Sequence, residues 1–333
     1  MLDERKAAIL RAVVEEYIAT AQPVGSTHVA ATPDISVSPA TVRNEMVVLE
    51  HEGYLVQPHT SAGRVPTDKG YRAFVDQLTG PGDLPPAQGQ LVRDFFTRAH
   101  GELEEMLQET SRLLSRLTDY AGVVVSPQAE AAHVRSIHLV GLSAHVGLLV
   151  VVLSNGAVEK RTVEVADDTG DERLAAATAH LAAHLVGRTL ADLGSVPATG
   201  DGLTDAAVDR AIQSLRSDGE GELDHLYVGG AAQIASAFDA VETVREVLGT
   251  LEQQFLLVGL LRDLLDRGLS VSIGAEHGLE TLADCSIVVA PYEVEGERTG
   301  TIAVLGPTRM NYPQALAAVA VVGNRLGRRL SDG

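Results

Sequence analysis

The chain has 333 residues, long enough for two or three domains that each bury a core. Its single cysteine, Cys285, excludes a disulfide framework and a cysteine-based zinc cluster, and it points to a reducing cytoplasm. The net charge of −19 excludes a uniformly basic nucleic-acid binder, but the charge is uneven: residues 1–78 hold seven Lys and Arg against ten Asp and Glu, and the rest of the chain carries most of the excess acid.

Ile9, Leu10, Val13, Val14, Tyr17 and Ile18 recur at helical spacing with Glu15 and Glu16 facing out, which predicts a first amphipathic helix. Ser26 is the expected cap of a short second helix through Val29 and Ala30, ended by Thr32-Pro33-Asp34. A third helix opens where Ser38 precedes Pro39, since serine caps free N–H groups and proline suits the first helical position. Val42, Met46 and Leu49 form its buried stripe, which leaves Ala40, Thr41, Arg43, Asn44 and Val47 on other faces. An arginine forks onto guanine, an asparagine onto adenine, and Ala or Thr sits against a thymine methyl, so this composition predicts a DNA-recognition helix.

Gly53 ends that helix and Tyr54-Leu55-Val56 begins a short strand. Residues 57–66 carry His59, Thr60, Ser61, Gly63 and Arg64 between two extended pieces, the make-up of a wing that reaches phosphates or the minor groove; His59 has a second reading as a hydrogen bond within the wing. Thr67-Asp68 caps a further helix whose first turns add Lys69 and Arg72, also expected at phosphates. The candidate DNA-binding set is therefore Ser38, Ala40, Thr41, Arg43, Asn44, His59, Thr60, Ser61, Arg64, Lys69 and Arg72.

Thr79-Gly80-Pro81-Gly82-Asp83-Leu84-Pro85-Pro86 reads as a linker, assigned to 79–90. A long helix is expected from Leu91 to about Tyr120, with Leu91, Phe95, Ala99, Leu103, Met106, Thr110, Leu113 and Leu117 on a face that either packs on its own domain or forms a dimer seam. Strands at 122–126, 134–142, 146–154 and 157–165 predict an antiparallel sheet, with Ser154-Asn155-Gly156 as its tight turn. Helices are expected at 172–186, 205–215 and 241–267, strands at 226–228, 269–275, 285–291 and 301–305, and a last helix at 312–330. No run is apolar and long enough for a membrane span, and no secretory leader is read at the start.

Catalytic signatures are missing: there is no GxSxG, HExxH, P-loop or strand-linked GxGxxG. His180 and His184 sit at i, i+4 without a glutamate between them in HExxH order, and Cys285 lies in an apolar strand as a core residue. No enzyme activity, cofactor or metal is expected. Arg309, at the start of the last helix, is read as satisfying carbonyls or Glu276, or alternatively as part of a signal-binding pocket.

Two distant blocks carry a family resemblance. VSPATVRNEMVVLEHEGYL with QPHTSAGRVPTDKGYR resembles the N-terminal signature of the HrcA family, bacterial heat-inducible transcription repressors. Ser272-Ile273-Gly274-Ala275-Glu276 and Gly306-Pro307-Thr308-Arg309-Met310-Asn311-Tyr312 resemble that family's IGxE and GPTRMxY motifs, in the same order. The resemblance implies an α+β multidomain chain: a winged helix-turn-helix (1–78), and a GAF-like α/β domain (91–165 and 223–333) with an inserted dimerisation domain near 166–222. It further implies a homodimer on an inverted-repeat operator in double-stranded DNA, repression of chaperone operons released on heat shock, a GroEL chaperonin partner, and a cytoplasmic protein that joins the nucleoid when bound to DNA. The competing expectation is a winged-helix regulator that senses a metabolite through the GAF-like domain.

Overall fold

Asp3 starts α1 (Glu4–Thr20) by accepting a hydrogen bond from the Lys6 N–H at 2.8 Å, and Ala21 ends it in the left-handed region. Ile9, Leu10, Val13 and Val14 are fully buried on its inner face, as their spacing predicts. In the short α2 (Ser26–Val29) Gly25 holds the cap position and Ser26 is the first helical residue, so the serine does not cap. α3 (Pro39–His51) starts as expected: the Ser38 hydroxyl accepts from the Thr41 N–H at 3.2 Å, and Val42, Met46 and Leu49 are buried. Gly53, at φ 79°, turns the chain out of it.

The chain then forms an antiparallel pair, β1 (Leu55–Val56) and β2 (Val65–Pro66). Val24 adds a bridge to Arg64 through two backbone hydrogen bonds of 2.9 Å. That close crossing requires Gly63, where a Cβ would stand 2.4 Å from the Val24 carbonyl oxygen. Thr67 caps α4 (Asp68–Val75) by accepting from the Gly70 N–H, and its hydroxyl donates to Gly53 O at 2.7 Å. This computed structural model describes residues 2–59, 62–98, 102–127, 132–167, 169–217, 225–238, 240–265, 270–294 and 296–332.

Two helices stand where one was expected over 91–120: α5 (Pro86–Arg98) and α6 (Leu103–Thr118). Pro86 opens α5, so residues 86–90, assigned to the linker, are its first turns; proline fits there because it has no N–H to lose. The buried residues of α5 are Val92 and Phe96, one step round the helix from the expected stripe, and Leu91 is exposed. α6 buries Leu107, Leu113, Leu114 and Leu117 within the chain's own core.

β3 (Ala121–Val125) is followed by β4 (Val134–Gly141), β5 (Val146–Leu153) and β6 (Val158–Glu164), but the four do not form one sheet. Among the described residues β4, β5 and β6 pair only with each other, in an antiparallel meander with Gly156 at φ 83° in the tight turn. They share a separate core with α7 (Asp171–Leu185) and α8 (Gly202–Ser217), built from Ile137, Leu149, Val151, Leu174, Leu181 and Ala211 among others. The expected boundary near 166 therefore cuts through one packed unit. Alternation in β5, with Gly147, Leu149, Val151 and Leu153 buried and the intervening residues half-exposed, is that of a sheet covered on one face only.

β3 instead joins a five-stranded antiparallel sheet in the order β7-β3-β10-β9-β8, made with β7 (Leu226–Gly229), β8 (Ser270–Ile273), β9 (Cys285–Val294) and β10 (Glu297–Pro307). Between these strands run α9 (Ala231–Ala237), α10 (Val241–Glu252) and α11 (Gln254–Leu265). α10 and α11 divide the expected 241–267 helix at Gln253, whose ψ of 65° is not helical. α12 (Tyr312–Asp332) closes the described chain. Val124, Val288, Ile302 and Val304 face α6 and α12, while Val123, Val125, Val289 and Leu305 face α10 and α11. Covering both faces explains why β3 reads as an unbroken apolar run.

Candidate nucleic-acid interface

The cap on Ser38 fixes where α3 begins and so which side chains its outer face presents. Ala40, Arg43 and Asn44 are exposed, and Thr41 is half-buried with its hydroxyl 3.0 Å from that of Ser38. Neither Arg43 nor Asn44 has a side-chain partner among the described residues. That sets Arg43 apart. Each of the other six basic residues of 1–78 is engaged: Arg5 with Glu45, Lys6 with Glu52 at 3.2 Å, Arg11 with Gln77 at 3.2 Å, Arg64 with Glu50 at 2.8 Å, Lys69 with the Glu52 carbonyl at 2.7 Å, and Arg72 with Glu276.

The hairpin beside α3 presents an exposed His59, and the Gln57 side-chain amide donates to Ala62 O at 2.9 Å across its base. Thr60 and Ser61, both expected at DNA, lie outside the described residues. Arg64 was expected at a phosphate, but it is turned inward: its side chain is 11% exposed and both Nε and Nη2 donate to one Glu50 oxygen, tying the hairpin to the end of α3. Lys69 is exposed, with its ammonium 4.4 Å above the Tyr54 ring.

Arg72 is drawn elsewhere again. Its Nε donates to Glu276 Oε1 at 2.8 Å, and its Nη2 donates both to Glu276 Oε2 and to Val271 O, the latter at 2.7 Å. Burial pushes the Glu276 carboxyl up, but the Arg72 guanidinium and the Ile273 N–H, at 2.9 Å, outweigh it and hold the group below the usual glutamate value. Asp68, one turn earlier on α4, accepts from the Ala275 N–H, and burial raises its carboxyl. Gly274 faces it at φ 55°, where a Cβ would lie 2.2 Å from the Asp68 carboxylate. Tyr71 packs on Tyr312 with ring centroids 5.9 Å apart, and burial pushes both hydroxyls well up. The two C-terminal motif blocks thus meet α4 at one joint.

Of the two structural roles expected of Arg309, it takes the first: it donates to a backbone carbonyl, Ala237 O at 3.1 Å, while Glu276 is held by Arg72. Next to the joint lies a cavity of about 290 Å³ lined in part by Tyr17, Asp68, Tyr71, Asp284, Thr308 and Arg309. Among the described residues no His, Cys, Asp and Glu cluster suits a metal ion, and no helix is long and apolar enough to cross a membrane. The His180 and His184 rings lie 4.4 Å apart, tilted by 50°, but each is bonded to a backbone carbonyl, of Pro197 and His180 respectively. Cys285 is fully buried, as expected of a core residue, and burial raises its thiol to about 12. The joint was invisible to sequence reasoning, because its partners lie some 200 residues apart and neither carries a pairing signal of its own.

Comparison with known proteins places the chain. The family profile for the HrcA protein C-terminal domain matches residues 104–316. The chain is 39% identical over 343 aligned positions to the heat-inducible transcription repressor HrcA of Nocardioides sp., covering all of both chains, and 37% identical to that of Pelotomaculum thermopropionicum, covering 99% and 97%. Among solved structures it is similar to a crystal structure described only as that of a hypothetical protein, at a TM-score of 0.62 and 22% identity, with 99% and 98% of the chains covered; this likeness speaks to the fold alone. With a matched profile over most of its length and full-length relatives of this identity, the chain belongs to the HrcA family of heat-inducible transcription repressors.

Proposed function

We propose that the protein silences chaperone operons by holding an inverted-repeat operator with two copies of α3, one from each subunit of a homodimer, and that heat releases it. On this reading it is a repressor and not an enzyme, in keeping with its relatives. Helices α1–α3 with the β1–β2 hairpin serve as the winged-helix head, the five-stranded sheet and its helices as the GAF-like body, and β4–β6 with α7 and α8 as the inserted dimerisation unit. The observation that supports it best is the pair Arg43 and Asn44, exposed and, among the described residues, unpartnered in a head whose other basic groups are engaged.

Ser38 positions the helix start, Ala40 and Thr41 meet base methyls, and Arg43 and Asn44 read base edges. His59 on the hairpin, together with Lys69, contacts the backbone, and Thr60 and Ser61, outside the described residues, are assigned the same role. Arg64 and Arg72 hold the head in shape and in place. We assign GroEL as the partner that maintains the active fraction in the cytoplasm, with the repressor at the nucleoid when bound.

The test is an anisotropy titration on an inverted-repeat chaperone promoter, with and without GroEL. Arg43→Ala should weaken binding by about 1–3 kcal/mol, the size of one bidentate base contact. A scrambled half-site should lose comparable affinity, and GroEL should raise the fraction of protein able to bind. Equal affinity for the repeat and a scrambled duplex would end this reading.

A further inference from the structure

The exposed chain between α4 and α5 contains Gly80, Pro81 and Gly82, and such a tether does not fix the orientation of what it joins. The orientation of α3 is set elsewhere. α4 moves with the recognition helix, because Thr67 hydrogen-bonds the carbonyls of Gly53 and Tyr54 just beyond α3, and because Tyr71 and Phe74 share a core with Val42, Met46 and Leu49. α4 is in turn seated on the body. Arg72 spans the gap with two bonds to Glu276 and one to Val271 O, Asp68 takes the Ala275 N–H, and the glycine at 274, at φ 55°, lets the Asp68 carboxylate close on the body's backbone. A planar guanidinium held by both oxygens of a carboxylate constrains angle as well as distance, and it adds this directional restraint to the packing of Tyr71 on Tyr312.

We infer that the Arg72–Glu276 joint is the positioning element that sets the angle of the reading helix on the body, and thereby the half-site spacing the dimer accepts. Arg72 acts here through Glu276 and not through phosphate. The inference rests on the proposed two-headed binding to an inverted repeat. Its site is distinct from the base-reading residues, so the two readings fail separately.

The experiment measures binding of the full chain to inverted repeats that differ only in spacer length, and to an isolated half-site. Wild type should prefer one spacer by about tenfold, the scale of a modest coupling between sites. Glu276→Ala and Gly274→Ala should both reduce that preference to about twofold while half-site affinity stays within about twofold. The double exchange Arg72→Glu with Glu276→Arg should restore it, since the pair is rebuilt with reversed polarity. Half-site affinity serves as the check that each variant is folded.

Three results would overturn the inference. Retention of the wild-type spacer preference in both Glu276→Ala and Gly274→Ala would show that the joint positions nothing. Weaker half-site binding in Arg72→Ala alone, not recovered by the double exchange, would make Arg72 a direct phosphate contact. Tighter binding of Glu276→Ala to every duplex would make the joint inhibitory. A wild type that does not distinguish the repeat from a scrambled duplex removes the DNA reading first, and the positioning role with it.

Discussion

Arg43, Arg64 and Arg72 begin as equivalent positive charges and end with three different roles, decided by what lies within reach of each guanidinium. Among the described residues Arg43 has no partner, so Arg43→Ala should change stability by no more than a surface substitution does, about 0.5 kcal/mol, while operator affinity falls. Arg64 gives the opposite pattern. Removing a largely buried guanidinium leaves Glu50 without its partner, and Arg64→Ala should destabilise the head by about 1–3 kcal/mol, read as a lower midpoint in urea. If Arg64→Ala unfolded at the wild-type midpoint and lost only DNA affinity, the inward assignment would be refuted. Cys285 is a third residue defined by its surroundings. With its thiol raised to about 12 and no exposed surface, it should resist iodoacetamide at pH 8 in the native protein and react once the chain is unfolded.

The elements show where local signals suffice. Ser38-Pro39, Thr67 and Asn155-Gly156 mark α3, α4 and the β5–β6 turn where the sequence places them, because caps and tight turns are made by residues next to one another. Both long expected helices are divided. An apolar stripe continues across a break as well as along a helix, so periodicity alone does not locate Gln253 or the start of α6 at Leu103. The burial face of α5 differs from the expected one for a related reason: Leu91 and Val92 are both apolar, and only the position of α12 decides which is covered. Grouping β3 with β4–β6 failed because alternation reports that a strand has one wet face, not which sheet it joins. The separate core of the meander unit supports a prediction at this scale. Leu149→Ala should cost about 2–5 kcal/mol, and calorimetry should show the loss in one transition, with the transition of the head and five-stranded sheet unmoved.

At the scale of the whole molecule, one apolar cluster runs from Ile9 in α1 through α4 and α6 to Leu330 in α12, so head and body share a core instead of being hung apart on a linker. The polar joint at its edge is sensitive to acid. Glu276 faces Arg72 and His277, and its folded value is below the unfolded one, so its contribution is present at neutral pH and is lost as pH falls through that lowered value. Asp68 faces Glu276, Asp284 and His277, and works in the other direction: its carboxyl is raised, so its protonated form is favoured in the folded state and stability declines as pH rises through the raised value. The melting temperature of wild type relative to Glu276→Gln should therefore converge on acidification below the ordinary glutamate range. A constant difference across that range would mean that Glu276 does not titrate through the joint.

The sequence by itself determined the local geometry and the chemistry offered to a partner: the start of α3, its buried stripe, the exposed Arg43 and Asn44, the hairpin beside them, and the absence of a catalytic signature. These rest on interactions within a few residues of one another, where spacing is structure. Tertiary structure alone decided that Arg64 turns inward and Arg72 bridges to Glu276, that β4–β6 leave the main sheet, and that the two C-terminal motifs receive α4. Each depends on which distant groups meet, and a guanidinium 204 positions from its carboxylate carries no mark of that pairing until the chain has folded around it.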